Sequence, residues 1–402
     1  MSDKSPENKA YPDLLTAGTA AYEELGTGER DVLDANLEPE TDVQVASQWQ
    51  LVWWKFRKHK LALFSAYVVV AIYLIAIFAE FLAPALPGSY SARYLYAPPQ
   101  TIKLFGRSDD GKLMPLYVND FKSEVDSESL RRTFVIDLEE KIPVGMFVKG
   151  EPYKMWGLFP MDRHLFGPLE PRAPMYLLGA DRLGRDIFSR TIYGTRISMS
   201  IGLIGVILSL ILGIVLGGMS GYYGGWIDNL IQRIIEFLRS IPTIPLWMGL
   251  AAAIPVSVGP IEVYFWITVI LSLVGWTGLA RVVRGRFLAL KSEDFVTAAR
   301  LDGVSEIRII LRHMVPSFMS HIIASITLAI PAMILAETSL SFLGIGLRPP
   351  VVSWGVLLQE AQNIRSIATA PWLFWPGVAV IIAVLALNFL GDGLRDAADP
   401  YV

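Results

Sequence analysis

The sequence contains no cysteine, which excludes a disulfide framework, a thiolate metal site and a cysteine nucleophile. Its four histidines, His59, His164, His313 and His321, are scattered without metal-ligand spacing and read as surface or interfacial residues. Charge is scarce too: Asp, Glu, Lys and Arg make up 18% of the residues and the formal net charge is −3. Nothing is basic enough to follow a phosphate backbone, so no nucleic-acid partner is expected. No G-x-x-x-x-G-K-[ST] phosphate cradle occurs and no paired catalytic groups fall at matching depth. We therefore expect no enzyme activity, catalytic residue, bound cofactor or metal in this chain. A positive n-region with a small-residue cleavage site is also missing, so the first apolar stretch is expected to stay as an anchor. What is abundant is apolar surface, with 53% hydrophobic residues and a mean hydropathy of +0.44. That is too apolar for an ordinary globular domain and marks a protein of the lipid bilayer.

Residues 1–60 read as an acidic tail and an interfacial collar. Glu23, Glu24, Glu29, Asp31, Asp34, Glu38, Glu40 and Asp42 lie in a segment with little to bury. Trp49, Trp53, Trp54 and Phe56, followed by Arg57, Lys58, His59 and Lys60, form an aromatic and basic belt that belongs on the cytoplasmic side. Residues 61–83 are apolar and long enough to cross a hydrocarbon core of roughly 30 Å at about 1.5 Å per residue. Residues 84–180 turn polar, aromatic and proline-rich, with short β-like runs at 133–138 and 145–149, and predict a small external insert of mixed structure. Residues 181–402 hold five more spans, near 197–219, 241–253 with the turns before it, 263–279, 321–343 and 372–390. The expected fold is an all-α polytopic membrane protein of six transmembrane helices.

Small residues recur every fourth position through the second span and just past it, at Gly205, Ser209, Gly213, Gly217 and Gly221. Such a stripe lets another helix approach closely, either within this chain or from a second subunit. Asp181, Gly184 and Asp186 fall short of a calcium loop and read instead as helix caps. Arg233, Glu236 and Arg239 share a helical face where i,i+3 neighbours pair. Pro331 predicts a kink in the fifth span, and Glu337 is a carboxyl inside the membrane zone.

The polar island at residues 291–316, KSEDFVTAARLDGVSEIRIILRHMVP, sits within a loop (281–316) that collects Arg281, Arg284, Arg286, Lys291, Arg300, Arg308 and Arg312. Excess positive charge places that loop in the cytoplasm, and an even number of spans then puts both termini there. Ser292 with Glu293 and Asp294 predicts a helix start, Gly303 a left-handed stop, Ser305 with Glu306 a restart, and Pro316 an end. Ile307, Ile310 and Leu311 fall on one side of the second helix and Arg308 and Arg312 on another. A helix-turn-helix DNA reader shares this outline, but close apolar flanks and the low charge exclude it.

Ala298, Ala299, Gly303 and Pro316 stand at the spacing of the "EAA" signature of ABC-importer permeases, with Thr297 where that family usually has glutamate. GADRLGRDIFSRTIYGTRISMSIGL (179–203), ETSLSFLGIGL (337–347) with PPVVSWG after it, and NFLGDGLRDAADP (388–400) resemble the C-type permease subunit of dipeptide and oligopeptide ABC importers. The resemblance covers the first span and nearly everything after Gly179. It implies a type I permease fold in a bacterial inner membrane. The partners it implies are a second homologous permease, two cytoplasmic ATPases that use ATP and Mg2+, and an extracytoplasmic substrate-binding protein. It also implies that Phe295, Ala298, Ala299, Asp302, Gly303, Ser305, Arg308 and Pro316 form the ATPase-coupling loop. The long insert resembles peptide permeases with enlarged external loops. A proton-coupled secondary transporter using Glu337 is the alternative, although no inverted repeat is evident.

Because the chain has no native cysteine, single cysteines at Ser127 and Ser305 report topology cleanly. An impermeant thiol reagent added outside sealed cells should label position 127 and leave 305 unmodified; labelling at 305 would overturn the six-span topology.

Overall fold

The structure, a computed structural model, describes residues 48–107, 113–125, 132–170, 173–255 and 257–398. The acidic stretch 1–47 lies outside the described residues, as does position 127. The chain divides after Lys58. In the first unit, helix α1 (Gln48–Lys58) stacks Trp53 on Phe56 and ends in Lys55, Arg57 and Lys58, where cations complement the helix dipole.

The second unit begins with α2 (Lys60–Ile77), whose first turn is capped by the His59 ring accepting from the Ala62 amide. The helix breaks at Phe78 and resumes as the single turn α3 (Ala79–Leu82). The insert follows. It holds a four-stranded sheet: strands β1 (Lys103–Arg107), β2 (Leu113–Val125), β3 (Arg132–Met155) and β4 (Phe159–Pro168) pair antiparallel in chain order. The two short runs read from the sequence are parts of one strand. β3 pairs with β2 up to Pro143 and with β4 from Val144 onward. A proline with no amide to donate sits where the strand changes partners, which keeps the ladder intact. His164 corrects the surface reading, being fully buried with its ring nitrogens against the carbonyls of Ala83 and Glu151, so it ties the sheet to the end of α3.

The helical core comprises α4 (Ile187–Tyr223), α5 (Gly225–Ser240), α6 (Thr243–Ala252), α7 (Pro260–Leu290), then α8 to α10 in the polar island, α11 (Met319–Phe342), the short α12 (Trp354–Leu358) and α13 (Ile364–Thr369), and α14 (Trp375–Ala398). Among the described residues five helices are long and apolar enough to cross a bilayer, and six if α5 and α6, bent by 91°, count as one span. The segment expected as the third span is therefore sharply bent. Ile241 is extended ahead of Pro242, as a residue before proline must be. α6 alone reaches about 15 Å, half a hydrocarbon core. α4 and α7 outrun the expected spans at both ends, because capping and packing carry them beyond the apolar run.

The small-residue stripe of α4 faces α7 and α11 of this same chain. A Cβ on Gly205 would meet Met333, one on Gly213 would meet Leu279, and one on Gly221 would lie 2.7 Å from the Arg284 carbonyl. Ser209 donates to the Ser272 carbonyl across the contact. Gly217 is the tightest point, with room for no Cβ: one built there lies 2.5 Å from the Ala280 carbonyl oxygen. The two backbones close in because neither side chain intervenes.

Gly217→Ala should lower stability by about 1–3 kcal/mol through overpacking, read as a lower unfolding midpoint of the purified protein in detergent. Gly278→Ala, where nothing lies within 4 Å of the added carbon, should be neutral or gain up to about 1 kcal/mol from helix propensity.

Candidate functional site

The polar island is a helix, a left-handed turn and a second helix laid across the ends of three spans. α7 continues to Leu290, so Ser292 sits behind its last turn and donates to the Ala289 carbonyl instead of capping the next helix. α8 (Asp294–Leu301) starts one residue later, with Glu293 at the N-cap and no side-chain cap bond. Gly303 has φ of +71°, the αL turn that lets the Val304 amide reach back to Ala299. α9 (Glu306–Ile309) restarts at Ser305, again without a side-chain cap bond.

Pro316 does not end the helix. A π turn (Ile310–Met314) intervenes and the Val315 amide bonds to Ile310, five residues back. This wider turn takes the strain that a proline ring imposes on the carbonyl four residues before it. Pro316 then sits inside α10 (Val315–Ser317), and the chain breaks only at Phe318, where φ is −124°. The π turn also changes the helical phase. Ile309 and Met314 face inward, while Ile307 and Leu311, grouped with Ile310 on one side in the sequence reading, turn outward.

The inner face is a continuous core. Val296, Ala299, Ile309 and Met314 pack with Tyr222 at the end of α4, Val283 and Phe287 of α7, and Ile322 of α11. Polar contacts fasten the same junction. Lys291 donates to the Tyr222 carbonyl at 2.7 Å, the Arg300 guanidinium lies 5.2 Å from the Tyr222 ring centre, and Arg284 grips Asp228 with two bonds of 2.6 Å. A displacement of the island therefore meets the ends of α4, α7 and α11 directly.

The outer face carries seven of the eight residues expected there. Phe295, Ala298, Asp302, Gly303, Ser305, Arg308 and Pro316 are exposed, whereas Ala299 is buried against the core and contributes packing only. The sequence reading missed the apolar surface beside them: Leu301 is 84% exposed, Ile307 68% and Leu311 62%. Ile307 and Leu311 line a groove of about 550 Å³ with Ser305, Arg308, Arg312 and Pro316. Their signal in the sequence is that Ile307 and Leu311 share one side of the second helix without any buried partner to require it there.

At the opposite ends of the spans a polar knot surrounds Glu337. Its carboxyl is fully buried and accepts from Ser341 at 2.8 Å, Ser353 at 2.7 Å and Ser198 at 3.2 Å. Ser198 also accepts the Trp354 amide, and the Trp354 indole donates to the Thr191 carbonyl. One side chain thus joins α4, α11 and the loop before α12. Nearby, Asp186 caps α4 through the Phe188 and Ser189 amides, and Asp181 holds Arg185 and Arg190. Burial pushes the Asp186 carboxyl up to about 6, against the pull of its bonds to Ser189 and Phe188. Burial likewise raises Glu360, which accepts the Arg182 amide. Among the described residues no three His, Asp or Glu side chains gather as a metal site.

Residues 188–402 match the family model described as binding-protein-dependent transport system inner membrane component, and residues 47–99 match the N-terminal TM domain of oligopeptide transport permease C. The dipeptide transport system permease protein DppC of Bacillus subtilis is 39% identical over 57% of this chain and 70% of its own length. The oligopeptide transport system permease protein OppC of Salmonella typhimurium is 37% identical over 69% of this chain and 94% of its own length. A solved chain of the MetNI methionine ABC transporter in an inward-facing conformation superposes with a TM-score of 0.42 at 17% identity, over 53% of this chain and 98% of that one.

Glu337→Ala should cost about 2–3 kcal/mol by leaving buried hydroxyls without their acceptor, measured by thermal unfolding in detergent. Glu337→Gln keeps an oxygen for Ser341 and Ser353 and should retain energised uptake; loss of uptake with stability intact would point to proton coupling instead.

Proposed function

Because the chain belongs to the family of binding-protein-dependent transport system inner membrane components, we propose that it is the membrane-spanning permease subunit through which an ABC importer moves di- or oligopeptides or similar small solutes. It is not itself an enzyme. Peptide cargo is supported by the DppC and OppC likenesses. The proton-coupled alternative is not favoured: Glu337 has a sufficient structural role as the acceptor of three hydroxyls.

The partners are a second homologous permease, two ATPases carrying ATP and Mg2+, and an extracytoplasmic binding protein, with both termini of this chain in the cytoplasm. The observation that carries the coupling role is the exposed apolar surface of Leu301, Ile307 and Leu311, beside the exposed Phe295, on the charged island. Apolar side chains left in water at the end of a spanning bundle fit a protein partner, here the ATPase. Transport by alternating access needs two states of the spans, and moving their ratio from 1:99 to 99:1 takes about 5.5 kcal/mol of differential binding. No phosphate cradle in this chain supplies that free energy, so ATPase closure delivers it through Phe295, Ala298, Asp302, Gly303, Ser305, Arg308 and the apolar trio. The buried side of the island, with Ala299, passes the displacement to α4, α7 and α11.

Leu301→Asp with Ile307→Asp should leave the unfolding midpoint unchanged, because both positions are exposed, while copurification of the ATPases and ATP-driven uptake in proteoliposomes fall at least tenfold, about 1.4 kcal/mol of docking free energy or more. Normal ATPase binding by this variant would remove the island from the interface.

A further inference from the structure

The insert lies between the two regions matched by family models, residues 47–99 and 188–402, and one edge of it is unlike a solvated β domain. The β3–β4 hairpin ends in seven uncharged residues, Met155 to Met161, with Trp156, Leu158, Phe159 and Met161 all exposed. Met146 and Phe147 on β3 are also exposed.

The hairpin is held at a defined depth. The Trp156 indole donates at 2.7 Å to the carbonyl of Ile77, the last residue of the first span, and its ring lies 6.1 Å from that of Phe78. The same carbonyl accepts from Arg196, which also bonds both oxygens of Glu80. An orphan carbonyl at a helix C-terminus is thereby satisfied twice. Phe147 stands 6.1 Å from Phe81 of α3. Trp156 and Phe147 have φ of +53° each, a conformation that bulky residues adopt only when the surroundings hold them there. Both of these aromatics touch the segment that leaves the first span.

α2 spans about 27 Å at 1.5 Å per residue, close to the thickness of a hydrocarbon core. Ile77 therefore marks the edge of that core, and a tryptophan bonded to it sits at headgroup level, where indoles concentrate. The exposed apolar surface of the hairpin continues that of the span, where Tyr67, Val70, Leu74 and Ile77 face outward. Lys154 borders the tip and can reach up to headgroups. Further along the ladder, Lys149 and Asp162 pair at 3.4 Å in the open.

We propose that the β3–β4 hairpin is a second membrane anchor, seating Trp156, Leu158 and Phe159 in the lipid interface at the Ile77 end of the first span. The lipid surface is the occupant because the patch is continuous with a lipid-facing helix and is bonded to that helix's last carbonyl. The inference rests on Lys60–Ile77 being a span, and the test separates the two.

Single cysteines at Leu158, at Tyr67 in the span and at Lys149 are labelled with an NBD fluorophore in the otherwise cysteine-free chain. The assembled transporter is reconstituted in phosphatidylcholine–phosphatidylglycerol vesicles with acyl chains brominated both near the headgroup and near the bilayer centre. Leu158 is 72% exposed, Tyr67 68%, and the Lys149 side chain 79%, so the labels leave the packing intact. Quenching by bromolipid at 158 should match that at 67 and exceed that at 149 several-fold, with iodide quenching only 149. If 67 is quenched by bromolipid while 158 behaves like 149, the anchor is wrong and the span stands. If 158 is shielded from both quenchers, a protein covers the hairpin and the anchor is equally wrong. If 67 itself escapes bromolipid, the span assignment falls and takes the anchor with it.

Discussion

In hydrocarbon the hydrophobic effect does not pull helices together, so the core of this protein depends on how closely α4 can approach α7. Gly217 against the Ala280 carbonyl, and Gly221 against that of Arg284, are the places where backbone meets backbone. Dispersion at that distance substitutes for the missing solvent drive. α11 then packs on the same helix through Met333 and Ile334, beside Gly205 and Gly202.

Both ends are built from polar groups that close on one another. On one side Glu337 gathers hydroxyls from Ser198, Ser341 and Ser353, and Asp181 gathers Arg185 and Arg190. On the other, Asp228 takes two bonds from Arg284, and Lys291 caps the end of α4 at Tyr222. A buried charge without such partners costs several kcal/mol, so these contacts are conditions of the fold. They also place the polar island on a fixed footing: its inner face is core and its outer face is exposed. In the proposed import function the packed face follows the spans, and the exposed apolar face is the surface offered to an ATPase.

The insert obeys the same rules in a different solvent. Its sheet covers its own small core around Tyr94, Phe121 and Tyr176. Gln100 bridges the ends of the insert by donating to the Asn119 carbonyl and accepting the Tyr176 amide. His164 and Trp156 then bond it to the segment leaving the first span. A domain docked this firmly at the mouth of the bundle has its orientation relative to the bilayer set by the first span.

Much of this was legible in the chain itself. Runs of apolar residues long enough for a bilayer, the i,i+4 stripe of small residues, the lysines and arginines gathered in one loop, and the glycine turn at Gly303 are local or periodic features, and a periodic feature shows in one dimension. Ranges and partners were not legible. The break at Pro242, the single long β3 strand, the burial of Ala299 and His164, and the exposure of Ile307 and Leu311 depend on what the rest of the chain places opposite them. The sequence by itself determined that this is a polytopic membrane protein, because lipid demands long apolar helices and small-residue contacts that leave a repeating mark; its motifs added the resemblance to ABC-importer permeases. Only the tertiary structure decided which face of the 281–316 loop is free and what Glu337 holds, because burial is set by neighbours remote in the chain, such as Tyr222 against Val296 and Ser198 against Glu337.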